Sequence, residues 1–405
     1  MKRKARYEKR RMSGALNNIY NNISFALNLH TDAMANLQEQ VSTGSRINRI
    51  SDEPAAAYRV LGLNTNKKSL ENYINNLSEV ISILELSSTI IEDITSNFTE
   101  TQIRLTQITS GIYDEAARKR TAEGINDILE HTVSLANTKH MDQYIFGGTN
   151  TGTAPYTVER TDGKITKVTY QGSFENRDIE VAPGMESSAF YIGDNIFRSN
   201  DRSDPVFIGD TGAKAGTGTS SVHGAVWLTV TGSAGNYNLS IDDGLSTFNT
   251  DGTDTNLAMT NSRTGEVLYV DTTKITSTGI DLVSIPGTYD IFNTLIIIRD
   301  VLENEKGLSD AQVREQLSNL PSSFEETNKL LIQAEVSVGS KIGFLDDLNY
   351  NLKDIKYNTE NEATRLQEAD IAQIAIDLSR REVLYQMSLS VAAKLMSMSL
   401  LDFIE

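Results

Sequence analysis

Four histidines, a glycine-rich heptapeptide and a scatter of aspartates are the residues of this chain whose types could do chemistry. A metal site built on His30, His131, His140 or His223 would need a second ligand at fixed spacing, as in H-E-x-x-H, and none has one. His30 lies beside an apolar helical stripe and reads as packed or interfacial. Gly212 to Gly218 (GAKAGTG) superficially suggests a phosphate loop, but the Gly-Lys-Ser/Thr ending and the strand-to-helix context are missing. A flexible β-turn is the better reading. Asp242, Asp243, Asp251 and Asp254 could hold a cation weakly; no twelve-residue calcium loop fits them, and they read as solvated turn residues. There is no G-x-S-x-G elbow. Cysteine is absent, which excludes disulfides, thiolate metal sites and a cysteine nucleophile. A hydrolase carried in the 150–285 block is left with no residues to perform it. No catalytic, cofactor-binding or metal residue is expected, and no cofactor.

The elements that would position any site divide by composition. The 405 residues, 39% hydrophobic and 22% charged, suit a globular chain of two or three domains. A net charge of −17 sets most of the surface against nucleic acid and anionic membrane. Met1 to Arg11 (MKRKARYEKRR) opposes this with seven Lys or Arg against the single Glu8. It reads as a disordered extension, as an upstream segment if translation begins at Met12, or as a tail that binds phosphates or headgroups. No apolar h-region follows it, and no run of about 18 apolar residues occurs, so neither a Sec-type signal nor membrane insertion is expected. Residues 13–142 read as helix, 150–285 as strand and turn, and 290–405 as helix again. The expected fold is α+β multidomain, with long antiparallel helical coiled-coil rods carrying an inserted all-β domain. The boundaries are a basic extension at 1–12, an N-terminal amphipathic helix at 13–45 and a first rod segment at 46–149. The β insertion follows at 150–286, a second rod segment at 287–361 and a C-terminal amphipathic helix at 362–405.

Leu70, Leu77, Leu84, Ile91, Phe98, Leu105 and Ile112 recur every seven residues, enough for a helix roughly 60 Å long. Phe324, Leu331, Val338, Leu345 and Leu352 repeat the period in the last third. Two such segments flanking an insertion pair most simply as an antiparallel coiled coil, with a plain helical bundle as the other reading. In the inserted block, Lys167 to Tyr170 and Ala225 to Val230 read as strands between Gly- and Asp-rich turns, and Trp227 as a core residue.

The chain ends are amphipathic. Ile19, Ile23, Ala26, Ala33, Met34, Leu37 and Val41 make one stripe, stopped at Ser42-Thr43-Gly44, where Gly44 can take the left-handed conformation. Ser51 or Asp52 can cap the next helix, with Pro54 in its first turn. At the other end Leu384, Met387, Val391, Leu395 and Met398 form a stripe, yet Ile374, Ile376, Leu389, Leu400 and Phe403 spread apolar surface round the rest. A helix apolar on more than one face must be covered, by a neighbouring subunit or by a membrane surface; the second would want a basic polar face that is missing.

Three segments resemble the flagellar hook-associated protein 3 family, the flagellin-related proteins of the hook–filament junction. They are Leu37 to Ala57 (LQEQVSTGSRINRISDEPAAA), Ser134 to Thr149 (SLANTKHMDQYIFGGT) and Val391 to Ile404 (VAAKLMSMSLLDFI). Val41, Ser45, Ile50 and His140 depart from the usual residues of that pattern. The resemblance implies a structural subunit secreted through flagellar type III export and placed at the hook–filament junction. It implies assembly with copies of itself as a ring-like or helical homo-oligomer through both terminal helices, whose ends become helical on assembly. The other hook-associated junction protein, flagellin and an export chaperone are the further implied partners. Arg46 and Arg49 would make polar contacts within or between subunits, or lie in a solvated turn. Flagellin itself, the filament subunit, is the rival reading. The Asp52-Glu53-Pro54-Ala55 run, the Tyr144 to Thr149 segment and the Leu401-Asp402-Phe403 end favour the junction protein.

Overall fold

The computed structural model describes residues 2–110 and 114–404, and side chains over 18–109 and 114–395. The helical first third is α1 (Lys2–Thr43), α2 (Pro54–Ser110) and α3 (Glu115–Ala136). A short ladder of β1 (Lys139–His140) and β2 (Gln143–Tyr144) leads to two hairpins, β3 (Tyr156–Thr161) with β4 (Lys164–Tyr170) and β5 (Arg177–Ala182) with β6 (Met185–Phe190). After α4 (Gly193–Phe197) come β7 (Val206–Ile208), β8 (Lys214–Ala215), β9 (Ala225–Ser233), β10 (Asn236–Ser240), β11 (Phe248–Thr250), β12 (Leu257–Thr260), β13 (Val267–Asp271) and β14 (Gly279–Ser284). The chain closes with α5 (Ile291–Glu303), α6 (Asp310–Gln367) and α7 (Ile371–Ile404). It forms two units, Met1–Asn72 with Asn351–Glu405, and Tyr73–Tyr350.

In the second unit the heptad residues are interior. Leu77, Leu84, Ile91 and Phe98 of α2 are buried, as are Phe324, Leu331, Val338 and Leu345 of α6. The rings of Phe98 and Phe324 lie 5.0 Å apart. Helix α3 packs along α5, and the buried Arg299 of α5 ties three elements together. Its guanidinium donates to Asn126 Oδ1 of α3, to the Ile165 carbonyl of β4 at 2.7 Å and to its neighbour Asp300. A buried cation needs such a full set of acceptors to offset its lost hydration.

Strands β7 to β14 build two antiparallel sheets, one in the order β11-β10-β9-β14-β7 and one β12-β13-β8. Leu228, Val230, Leu239, Met259, Leu268 and Val270 fill the core between them, the alternation expected where each sheet buries one face. Trp227 is buried. The chain enters and leaves this sandwich along one two-stranded stalk. Ser199, Asp201 and Ser203 donate their N–H groups to the carbonyls of Tyr289, Gly287 and Pro286, at 2.9, 2.7 and 2.8 Å. Gly287 has φ of 80°, and a Cβ there would collide with the Asp201 carbonyl, so only glycine lets the stalk close.

In the first unit, ion pairs join α2 to α6: Arg59 with Glu362, Lys67 with Glu360 at 2.7 Å and Glu71 with Lys356 at 3.0 Å. The partner numbers fall as the α2 numbers rise, so the two helices run antiparallel. Leu352 is buried there and Leu70 half-buried. Helix α1 extends back to Lys2 through the basic segment, where charge pattern alone suggests a disordered extension. Lys, Arg, Ala and Met are good helix formers, and prolonging an existing helix needs no new nucleus.

Phe98→Ala should cost about 3–5 kcal/mol, the range for emptying a buried aromatic site. Calorimetry should show it as a lowered unfolding transition; an unchanged melting profile would mean that the α2–α6 contact contributes little.

Candidate assembly surface and linker junction

Helices α1 and α7 belong to the first unit and pack on each other. Antiparallel pairing follows from their joined ends, where the Ala369 N–H donates to the Gly44 carbonyl at 3.1 Å and Ser45 bridges Glu368. Half-buried positions on α1 are Ile23, Ala26, His30, Ala33, Leu37 and Gln40, with Leu27 and Met34 alongside. On α7, Leu378, Arg381, Tyr385, Ser388, Ala392 and Leu395 are half-buried and Ile374 is buried. Both sets follow alternating steps of three and four, the spacing of one helix face meeting another. At 100° per residue Ile376, Val383 and Met387 point away from that seam, and Leu384 and Val391 continue the same arc along its flank. All five are exposed, Met387 to 61% and Ile376 to 63%. Helix α7 thus has two apolar faces, one against α1 and one open. On α1 the open apolar residues are Ile19, Phe25, Leu29 and Val41, with Phe25 at 70%.

The sequence-derived stripe is therefore divided. Ile23, Ala26, Met34, Leu37 and Leu395 sit at or beside the seam, whereas Ile19, Val41, Leu384, Met387 and Val391 are exposed. Phe25, Leu29 and Val383 are exposed residues that the sequence reading does not single out, and the exposed Ile376 is one of those it places round the rest of α7; Phe25 and Leu29 are off the three-and-four stripe and escape a search for one face. The side chains of Met398, Leu401 and Phe403 lie outside the described residues. Both terminal helices are already helical in the single chain, where the resemblance implied ends that gain helix on assembly. Each supplies the other with a seam.

Between α1 and α2, Gly44 takes the left-handed conformation with φ of 68°, and its N–H reaches the Gln40 carbonyl at 2.9 Å. The Asp52 carboxylate accepts from the N–H groups of Asn48 and Arg49 at 3.1 and 2.8 Å, so it closes the 48–52 turn rather than capping α2. Arg46 meets Glu53 at 3.1 Å and donates to the Leu366 carbonyl at 3.1 Å, while Arg49 meets Glu39 at 3.1 Å. On the other crossing, Asp370 accepts from the Gln373 N–H at 3.0 Å and starts α7. The break before the terminal helix consequently falls at 368–370, later than the 361/362 boundary read from the sequence.

Most of the residues that could do chemistry are held in bonding with neighbours, while His30 Nδ1 is buried with no partner among the described residues. Nδ1 of His131 is 3.2 Å from Asn97 and Nδ1 of His223 is 2.7 Å from Glu266. His30 lies in the α1–α7 seam and His140 in β1. Gly212 to Gly218 is not a free turn, because Lys214 and Ala215 form β8 and pair with β13. Asp242 is buried rather than solvated; burial alone would raise its pKa, but hydrogen bonds from Ser262, Ser246 and Ser240 outweigh that and hold it below the carboxylate range. Asp251 and Asp254 accept from nearby threonines, and Asp243 pairs with Lys306. No group of three or more His, Cys, Asp or Glu able to hold a metal occurs among the described residues. No helix among them is long and apolar enough to cross a membrane.

With this geometry in hand, comparison with known proteins gives first a class. Residues 14–151 match the bacterial flagellin N-terminal helical region. More particularly, the chain is similar to flagellar hook-associated protein 3 of Escherichia coli strain K12, with 27% identity over 162 residues, 40% of this chain and 49% of that one. It is also similar to the protein of that name from Salmonella typhimurium, at 26% over 121 residues, 30% of this chain and 38% of the relative. The match thus spans at most about half the length of these curated relatives. Among solved structures, FlgL of Xanthomonas campestris aligns at a TM-score of 0.49 and 19% identity over 74% of this chain and 98% of the other.

Asp290 begins α5, accepting from the Phe292 and Asn293 N–H groups at 2.8 and 2.7 Å. Burial pushes its pKa from the ordinary 3.8 to about 6, with Asp194 adding to the shift and Arg198 opposing it. The folded chain keeps this proton to higher pH than the unfolded chain does. Its contribution to stability is therefore full below about pH 4 and lost as pH rises through about 6. Asp290→Asn retains the accepting oxygen without the charge. It should flatten the fall in thermal midpoint between those pH values and raise the midpoint at pH 7; an unaltered pH profile would show that Asp290 does not titrate in this range.

Proposed function

We propose that this chain is a structural, non-enzymatic subunit of the bacterial flagellum that joins hook to filament. It assembles with copies of itself through the open faces of α1 and α7. The other hook-associated junction protein and flagellin are its neighbours in the structure, and it leaves the cell by flagellar type III export with a chaperone. The observation that carries the reading is the second apolar face of α7. Ile376, Val383, Leu384, Met387 and Val391 are left uncovered by α1, on a chain whose first third matches the flagellin helical region. Exposed apolar surface contiguous along a helix is the mark of an interface that forms with another molecule. The Asp52-Glu53-Pro54-Ala55 run, the Tyr144–Thr149 segment and the Leu401-Asp402-Phe403 end support the junction role over the filament role, and both curated relatives are named flagellar hook-associated protein 3.

Loss of the gene should release unpolymerised flagellin into the medium, whereas loss of a filament subunit would leave hooks with nothing to secrete. Immunogold labelling should mark a band at the hook's distal end. Replacing Leu384, Met387 and Val391 together by Gln should abolish incorporation and leave the melting of the free chain unchanged. Normal incorporation of that triple variant, or of a chain lacking both terminal helices, would refute the assembly surface.

A further inference from the structure

The two linkers of the first unit are crossed by contacts that converge on one residue. The Arg46 N–H donates to the Gln367 carbonyl at 2.6 Å. Its own carbonyl accepts from Gln40 Nε2 at 3.0 Å. One guanidinium nitrogen reaches the Leu366 carbonyl and the other Glu53, both at 3.1 Å. Three helix ends are therefore gathered around this side chain and its backbone, the last turn of α1 through Gln40, the entry to α2 through Glu53 and the last turn of α6 through Leu366 and Gln367, and the entry to α7 is tied beside them by the Ala369–Gly44 bond. The last carbonyls of a helix have no partner within it and sit at the negative end of its dipole, where a guanidinium is doubly suited. Ile47, buried beside this cluster, anchors the linker.

The geometry points to Arg46 as the positioning residue of a single joint. Instead of two independent linkers, residues 44–46 and 366–369 form one ligated crossing, so that α1 and α7 are carried as a registered pair with their open apolar faces in a fixed relation. That consequence for assembly rests on the function proposed above; the joint itself does not. A guanidinium is required rather than a charge alone, because one side chain must serve a carbonyl and a carboxylate on different segments through separate nitrogens.

Hydrogen exchange on the purified full chain tests this apart from any flagellar role. Arg46→Gln should speed exchange about tenfold in both crossings at once, as loss of one charge-assisted hydrogen bond predicts, and Arg46→Lys should restore little. Ser45 and Glu368 are partners in the bridge, and the chain has no cysteine. The pair Ser45→Cys and Glu368→Cys should therefore form one disulfide and return slow exchange to the Arg46→Gln chain. Loosening confined to 44–46 with 366–369 unchanged would overturn the proposal, as would a formed disulfide that restores nothing. Unchanged exchange in the Arg46→Gln chain would likewise overturn it, whereas loosened crossings in a chain that still assembles normally would count against the consequence for assembly alone.

Discussion

A chain that leaves a helical framework and comes back must cross each boundary twice, and at each crossing the backbone groups freed from helix or sheet need partners. In this protein they find one another. The linkers 44–46 and 366–369 bond across the first unit, and 199–203 bonds with 286–289 in the second. Each pair of crossings becomes a short antiparallel ladder that fixes the relation of what enters to what leaves. Helical register on either side of such a ladder is then set by the chain itself.

Around these ladders the two units use different means. The second unit has a conventional interior, with the α2 and α6 heptads meeting at Phe98 and Phe324 and a buried Arg299 joining α3, β4 and α5. In the first unit α2 and α6 share few buried side chains and a ladder of exposed ion pairs. Pairs of this kind contribute about 0–1 kcal/mol each and weaken with salt. They serve alignment more than cohesion.

The rods and the insertion were legible in the sequence because they depend on local period. A Leu, Ile or Phe every seventh residue cannot avoid one helix face, and Leu77, Leu84, Ile91, Leu331, Val338 and Leu345 are all interior. The terminal helices were less legible for a specific reason. The α7 seam includes Arg381, Tyr385 and Ser388, all half-buried, which hydropathy does not mark. On α7 the apolar stripe through Leu384, Met387 and Val391 is instead exposed, so a search for apolar period there finds mostly surface left over rather than the surface used within the chain. Buried Asp242 and Arg299 and half-buried Asp290 escaped notice because their partners come from distant segments or from backbone amides. The Arg46 cluster is likewise joined across about three hundred positions, a separation that no local pattern records.

The stalk at 199–203 and 286–289 brings the two ends of the sandwich to neighbouring points. Whatever lies between them contributes a closed loop of chain with almost no span to bridge. Strands could be added to the sandwich, exchanged or removed, and the helices beyond the stalk would keep their spacing so long as Gly287 allows the two strands to meet. The size of that module is thus a free variable of the architecture, while the lengths of the helices are not.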